Sequence, residues 1–402
     1  MTRTVHEILG DDVIAAVRKP IGEARGLPAR AYTSEEFFQL EQEKYFPRTW
    51  MGAAFSCDIP NPGDAMPIML AGLPLILLRD ETGGVRAFHN VCRHRAARML
   101  EEPCTGIKQF QCPYHAWTYA LNGELKVMPY FDGTPGGDEK GQYDKKQYGL
   151  VPVRCGVWHH WIFINIDGNA PALDEHMQPL LELMNGADVG ATKPVMTLDW
   201  EFKANWKMLN DNWENYHHMW AHYPIFSKVT DDLDMKTREP WSKPIQKGAV
   251  MSIMRDSKTA PPYSNRQSDL PVIPFPEGAD RVTSPNLVLP NVEISIVRDH
   301  IGSIITDPLA PDRTIARMGF FFVGDAATDP KYESGRQQNF DRWLGKSRSP
   351  AARDGLRNQD FRIWESQQIA RQSPVADEVV FSPIWEPNVH YFQNHLLDLL
   401  EA

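Results

Sequence analysis

Apolar positions along this chain change period several times. The capping box at Thr33-Ser34-Glu35-Glu36 is followed by Phe37, Phe38, Leu40 and Tyr45 at helical spacing, which predicts a first helix. From Pro60 to Val127 the pattern turns to strands and turns. Leu75-Ile76-Leu77-Leu78 and Val85-Arg86-Ala87-Phe88 flank Glu81-Thr82-Gly83-Gly84, and Thr118 to Leu125 carries an Asn122-Gly123 turn. Both are hairpin signals, and together they predict a compact β module of about a hundred residues. Asp132 to Gln147 reads as a solvated loop, and Trp161 to Ile166 as a buried strand. Helical period returns at Leu173 to Met184 and between Phe202 and Tyr223. The polar, proline-rich stretch from Lys243 to Gly278 reads as an irregular excursion. Strands resume at Asn286 to Val297, His300 to Asp307 and Thr314 to Val323. Charged helices follow from Pro330 to Gln372, and an amphipathic helix runs from Val389 to Leu400. Strand runs followed by helix runs, without βαβ alternation, predict an α+β fold.

Composition narrows the class of protein. A chain of 402 residues exceeds one average core and implies two to three domains. The net charge of −10 argues against a nucleic-acid-binding surface, which would need a basic face. Met66 to Leu78 is the most apolar stretch, but it is short and broken by Gly72 and Pro74, so it reads as two strands and not a membrane span. Met1 to Pro20 mixes charges throughout and has no apolar segment of the kind a secretory signal needs. The five cysteines are Cys57, Cys92, Cys104, Cys112 and Cys155. An odd number without an export signal argues against a disulfide framework and for the reducing cytoplasm, where thiolates are free to bind metal. Cys57, Cys104 and Cys155 have no ligand spacing around them and read as structural or surface thiols.

Two constellations carry chemistry. Asn90-Val91-Cys92-Arg93-His94-Arg95 ends one predicted strand, and Gln111-Cys112-Pro113-Tyr114-His115-Ala116-Trp117 precedes the next hairpin. Each loop offers one thiolate and one imidazole. Two thiolates with two imidazoles suit zinc or an iron–sulfur centre. Zinc sites more often group like ligands in one loop. Mixing Cys and His within each loop suits a two-iron cluster, the cysteines holding one iron and the histidines the other.

The second constellation is the run from Asn205 to His222, which packs His217, His218, His222, Asp211 and Glu214 among Trp206, Trp213, Tyr216 and Trp220. Two histidines and one carboxylate with open positions form the facial triad of non-haem iron oxygenases. On an ideal helix, His218 and His222 share a face, whereas His217 and His222 lie about 140° apart. Spacing alone therefore favours His218 with His222. The other pair requires the helix to end or bulge between its members, and Pro224 supports an ending nearby.

The Cys-Arg-His and Cys-Pro-Tyr-His-Ala-Trp loops resemble the Rieske motif of ring-hydroxylating oxygenase large subunits. The resemblance extends from the helix at Thr33 to that ending at Leu400. It makes Cys92, His94, Cys112 and His115 the ligands of a [2Fe–2S] cluster; Ala96 stands where relatives commonly have glycine. In the catalytic domains of that family the run is acid-x-x-His-x4-His, matched by Glu214, His217 and His222, often with an Asn at the place of Asn210. The resemblance thus implies a mononuclear Fe(II) held by His217 and His222. Its third ligand is a distant Asp, here Asp360 in Asn358 to Gln368, with Glu365 as the alternative. His218 becomes a neighbour of this site. Glu214 matches the acid that bridges the Rieske His of one subunit to the catalytic His of the next. Its identity, Glu where many dioxygenases carry Asp, resembles the carnitine- and betaine-type subgroup.

The implied fold is an N-terminal helical segment at 1–47, an all-β Rieske domain at 48–158 and a helix-grip (START-like) catalytic domain at 159–402. The implied partners are an NAD(P)H-dependent reductase or ferredoxin, a small-molecule substrate and O2, in a homotrimer with a possible small β subunit. The implied reaction is hydroxylation of an aromatic or other small organic molecule, with demethylation or hydroxylation of a quaternary ammonium compound as the alternative. A Rieske electron carrier is the non-enzymatic reading; it has no need of His217, His222 and Asp360. Trp206, Trp213, Tyr216, Trp220, Trp364 and Trp385 are candidates for a pocket, or else for core.

Overall fold

In this computed structural model, residues 3–135, 137, 141, 143–214, 217–222, 242–255, 269–279, 284–349 and 354–402 are described. The chain divides into two compact units, Pro47–Leu173 and a second formed by Met1–Phe46 with Asp174–Ala402.

The Pro47–Leu173 unit is built of β1 (Met51–Phe55), β2 (Ala65–Leu70), β3 (Leu73–Arg79), β4 (Val85–His89), β5 (Gln109–Gln111), β6 (Thr118–Ala120), β7 (Leu125–Val127), β8 (Pro152–Trp158) and β9 (Trp161–Asn165). They make a six-stranded sheet ordered β1-β9-β8-β4-β3-β2 and a three-stranded sheet β5-β6-β7. The apolar stretch at 66–78 is the β2–β3 hairpin, pairing Met66 with Leu77 and Leu70 with Leu73. Gly123 turns β6 into β7 at φ +87°, and a Cβ there would lie 2.6 Å from the Phe88 ring. Its left-handed backbone and its close approach both require glycine. Buried Phe88, Phe110, Trp117, Tyr119, Leu121 and Leu125 form a core that also encloses Cys92 and Cys112.

The expected domain boundary after residue 158 moves to Leu173. The reason is β9: it hairpins onto β8, pairing Val157 with Ile162, and its other edge pairs with β1. A strand whose two edges are both bonded within one sheet belongs to that sheet.

In the second unit, β10 (Thr192–Phe202), β11 (Ser242–Lys247), β12 (Val250–Arg255), β13 (Ser284–Val288), β14 (Val292–Ile296), β15 (His300–Ala310) and β16 (Arg313–Val323) form one antiparallel sheet ordered β10-β16-β15-β14-β13-β12-β11. Among the described residues its helices are α1 (Val5–Leu9), α2 (Asp11–Val17), α3 (Arg30–Thr33), α4 (Glu35–Leu40), α5 (Leu173–Leu183), α6 (Lys207–Asp211), α7 (Glu333–Leu344), α8 (Leu356–Ala370) and α9 (Pro387–Glu401). An all-β unit and a unit of antiparallel sheet with helices make up the expected α+β fold.

Several elements differ from the sequence reading. The stretch from Lys243, expected to be irregular, contains the β11–β12 hairpin; its continuation over 256–268 lies outside the described residues. Pro244 hid the strand, and is accommodated because β11 is the sheet's edge. Strand β10 was missed, and within the helical run expected over 202–223 the described residues form α6 and a 3₁₀ turn at Met219–His222. The N-terminal charged segment contains α1, whose N-cap Thr4 accepts from Glu7 N–H at 3.2 Å while Glu7 accepts from Thr4 N–H at 2.7 Å. Helix α4 begins one residue later than expected, capped by Ser34, and runs on into a π-helical turn at Glu41–Tyr45. Among the described residues no helix is long and apolar enough to cross a membrane.

Two packing features fix the elements that carry the candidate site. Phe361 of α8 stacks on Phe202 of β10 at 4.9 Å, and Trp364 meets the same ring edge-on at 5.3 Å. That anchors the N-terminal half of α8, including buried Asp360. At α6, Lys207 Nζ lies 2.6 Å from Glu41 Oε1, with both side chains wholly buried. Trp206 Nε1–H donates to the other Glu41 oxygen at 3.0 Å.

Candidate metal centres

The two thiolate–imidazole loops close on the same backbone pattern. Cys92 N–H donates to Ala97 O at 2.8 Å and Ala96 N–H to Cys92 O at 3.0 Å; Cys112 N–H donates to Trp117 O at 2.8 Å and Ala116 N–H to Cys112 O at 3.1 Å. Ala96 and Ala116 both sit at φ 56°, the left-handed region that costs an alanine more than a glycine. The departure at Ala96 therefore carries a small strain without touching a ligand.

Cys92 and Cys112 are buried, and Tyr119 Oη lies 3.4 Å from Cys92 Sγ while accepting from Arg93 N–H at 3.1 Å. The His94 and His115 rings stand 4.6 Å apart, and Trp117 stacks on His94 at 4.9 Å. Burial, then the neighbouring His115 and Arg95, hold His94 below its usual pKa, so the ring stays neutral as a metal ligand must. Burial pushes the Cys112 thiol up; a soft metal replaces such a proton. The decisive fit is at the ring nitrogens: Nδ1 of His94 and Nδ1 of His115 are both buried without a hydrogen-bond partner. Two orphaned imidazole nitrogens beside two buried thiols suit a [2Fe–2S] cluster.

In the second unit, His218, His222 and Asp360 bring one ligand atom each within 4.8 Å of one another. Asp360 Oδ1 lies 3.3 Å from His222 Nε2 and 3.8 Å from His218 Nε2. The opposite ring nitrogens are held by acceptors: His222 Nδ1–H faces Gln359 Oε1 at 3.1 Å, and His218 Nδ1–H faces Glu214 Oε1 at 2.7 Å. Each ring thus turns its Nε2 toward Asp360, the arrangement by which outer partners orient metal-binding imidazoles. Burial works against a charged His218, but the hydrogen bond and charge of Glu214 and the charge of Asp360 outweigh it and raise its pKa. Burial would raise Asp360 too, yet His222, His218 and Arg357 outweigh it and hold the carboxyl below its usual range.

His217, expected beside His222 and Asp360, is not in this trio. It lies 3.6 Å from Glu214 Oε2, stacks on Trp385 at 5.4 Å and groups with Glu214 and Glu386. His218 is the histidine grouped here with His222 and Asp360, the pairing that helical spacing favours. A family pattern fixes position in sequence, whereas ring direction depends on the local chain path, here a 3₁₀ turn at Met219–His222. Glu365 instead accepts Lys203 N–H at 2.9 Å, on the other side of α8 from the trio. Asn210 is buried, donating to Pro290 O at 2.9 Å. Trp206, Trp213 and Trp364 are core residues; Tyr216 and the Trp220 side chain lie outside the described residues.

Sequence reasoning missed Gln359, Arg357, Asn212 and Glu386. Asn212 Nδ2–H donates to Asp360 Oδ1 at 3.4 Å. Burial, and then Glu214 beside it, raise the Glu386 pKa. The adjacency of Gln359 and Asp360 was the one signal available for any of these.

A thiol–imidazole centre in a β unit and an imidazole–carboxylate centre on a sheet-and-helix unit define an iron–sulfur protein with a second, mononuclear metal domain. The model of the "Ring hydroxylating alpha subunit (catalytic domain)" matches residues 189–402, and that of the "Rieske [2Fe-2S] domain" matches residues 49–136. The chain belongs to the ring-hydroxylating oxygenase alpha-subunit family, whose cofactors are a Rieske [2Fe–2S] cluster and a mononuclear iron. It is 31% identical to a glycine betaine monooxygenase oxygenase subunit of Pseudomonas aeruginosa over 52% of its length, a match that spans only 47% of that relative. It is 25% identical to the corresponding subunit of Chromohalobacter salexigens over 98% of this chain and 92% of the relative. The large component of a naphthalene 1,2-dioxygenase system of Pseudomonas aeruginosa is 34% identical over 47% of this chain and 42% of its own. Among solved structures, a quaternary ammonium Rieske monooxygenase in complex with γ-butyrobetaine superposes with a TM-score of 0.73 at 20% identity, covering 96% of this chain and 97% of that one. A naphthalene 1,2-dioxygenase from Rhodococcus sp. gives a TM-score of 0.72 at 21% identity, over 93% and 94%.

Proposed function

We propose that the chain is the terminal oxygenase component of a Rieske system, using O2 and electrons from an NAD(P)H-dependent reductase to hydroxylate a small organic molecule. The observation that carries this reading is the convergence of His218 Nε2, His222 Nε2 and Asp360 Oδ1. A Rieske electron carrier has no use for such a trio, and two imidazoles with one carboxylate leave a metal with open positions. When bound, the cluster supplies single electrons and the mononuclear iron activates dioxygen. Per hydroxylation, one O2, two electrons and two protons yield the hydroxylated product and one water.

The residues of this chain prepare that chemistry. Cys92, His94, Cys112 and His115 would hold the cluster; His218, His222 and Asp360 would hold the iron. Gln359 and Glu214 fix the imidazole tautomers by accepting from Nδ1. Glu214 also faces His217, so in a homotrimer it is the carboxylate suited to bridge the Rieske His of a neighbouring subunit. A small β subunit is compatible with this arrangement, and the cytoplasm is the compartment that keeps the cluster thiols reduced.

For the substrate, a quaternary ammonium compound is favoured over an aromatic ring. The sequence match to the glycine betaine monooxygenase subunit of Chromohalobacter salexigens runs nearly end to end, whereas the sequence match to the naphthalene dioxygenase component covers about half the chain, although both kinds of structure superpose over nearly all of it. Hydroxylation of an N-methyl carbon would release formaldehyde and leave the amine with one methyl fewer. The test is O2 uptake and product analysis with a surrogate reductase and NADH, across betaines and aromatic acids. Uptake coupled to formaldehyde release with a betaine is expected. Coupled hydroxylation of aromatic acids alone would overturn the substrate reading, and no coupled uptake from iron-replete protein would overturn the oxygenase reading.

A further inference from the structure

Aromatic rings are not shared evenly between the two thiolate–imidazole loops. The His94 ring lies flat on Trp117 at 4.9 Å and 8°, and Phe131 meets it edge-on at 5.5 Å. Phe131 also meets Trp117 at 5.3 Å, and Tyr143, itself packed on the core, backs it at 4.8 Å. Among the described residues, the rings against His115 are His94 and Tyr114, and Tyr114 is 59% exposed. His94 therefore has an aromatic wall that His115 lacks.

The chain is strained at the point where it delivers Phe131. Phe131 follows β7 on an irregular turn and leaves 37% of its surface open to water. Tyr130, one residue before, sits at φ 55°, a left-handed backbone that a bulky residue rarely adopts. Its own ring is 69% exposed, so contacts of that ring do not offset the cost. The turn is held by Phe131 N–H donating to Met128 O at 3.2 Å and Gly133 N–H to Tyr130 O at 3.0 Å. Thr134 N–H closes it, donating to Asp132 Oδ1 at 2.9 Å. What the turn achieves is to lay one apolar ring over His94.

Resting on the reading of Cys92, His94, Cys112 and His115 as the cluster ligands, we infer that Phe131 is a positioning residue that shuts water out from the His94 side of the cluster and so keeps its reduction potential down. Two ferric ions, two sulfides and two thiolates sum to zero charge, so one-electron reduction leaves one negative charge on the cluster. Water around His94 stabilises that charge, and an apolar ring does not. Removing the ring therefore favours the reduced state. Phe131 touches neither the irons nor the substrate; it acts through the access of solvent to His94.

The test is a redox titration of the full chain with its cluster in place, at one pH, followed by the Rieske absorption and electron paramagnetic resonance signals. Phe131→Ala is expected to raise the midpoint by about tenfold in the one-electron equilibrium, about 59 mV. Phe131→Leu restores an apolar cover and is expected to stay near the wild type. Tyr130→Gly suits the left-handed turn and leaves Phe131 in place, so it should match the wild type as well. If Phe131→Ala loses its cluster, Phe131→Val keeps a smaller apolar group and is expected to shift the same way by less. An unchanged or lowered midpoint in the variant that retains its cluster overturns the inference. So does a shift in Phe131→Leu or Tyr130→Gly as large as that in Phe131→Ala, which would make it a general effect of disturbing the loop. A wild type without Rieske signals after reconstitution with iron and sulfide overturns the cluster reading itself, a different outcome.

Discussion

His217 and His218 are adjacent, and their rings turn to different partners. His218 hydrogen-bonds Glu214 through Nδ1 and presents Nε2 to Asp360, whereas His217 stacks on Trp385. Replacing His218 by Ala should therefore lower the iron content by about one atom per chain, the occupant of a facial triad, while leaving the Rieske absorption intact. His217→Ala should keep its iron. Plasma mass spectrometry of the two variants decides between them; iron lost from His217→Ala alone would restore the pairing that the family pattern implies. At this scale the sequence was legible where chemistry depends on residue type and spacing, as with Cys92, His94, Cys112 and His115. At His218 spacing and the family pattern pointed to different residues, and a partner distant in sequence, as with Glu293 and Arg357, was not legible at all.

Among the elements, α6 is only five residues long, too short to be stable by itself. It is held by the buried Glu41–Lys207 pair, which ties the π-helical turn at Glu41–Tyr45 to the segment leading into Glu214 and His218. Lys207→Met should destabilise the protein by about 3–5 kcal/mol, because Glu41 would be left buried and unpaired, while Glu41→Gln with Lys207→Met should cost clearly less. Chemical denaturation monitored by circular dichroism measures both; equal losses would show that the pair contributes no more than its packing. Helix α5 supplies a pH dependence. Burial, then His395, depress His176 from 6.5 to about 4. The unfolded chain therefore takes up a proton that the folded one refuses, and stability should fall as pH drops from about 6.5 to about 4. Thermal melts across that window should show a shallower fall for His176→Gln; an unchanged slope would contradict the assignment. Hairpins such as β3–β4 were legible because their turn residues announce them, whereas β11 was masked by Pro244 and α1 by its five-residue length.

For the whole molecule, length implied two to three domains and the resemblance drew a boundary after residue 158, whereas the two compact units part at Leu173. Trp161–Asn165 follows β8 across a tight turn and looks the same in sequence whether it closes one sheet or opens the next; only its bonding to β1 settles that. If electrons pass between subunits through Glu214, the active species should be a closed trimer, with sedimentation giving about three times 45.8 kDa. A monomer with full coupled turnover would contradict that bridge. The central claim, a Rieske cluster and a separate mononuclear iron in one chain, is tested most directly by the iron and acid-labile sulfide content of the purified protein. The account predicts about three irons and two sulfides per chain. Two irons with two sulfides after iron reconstitution, or zinc as the dominant metal, would contradict it.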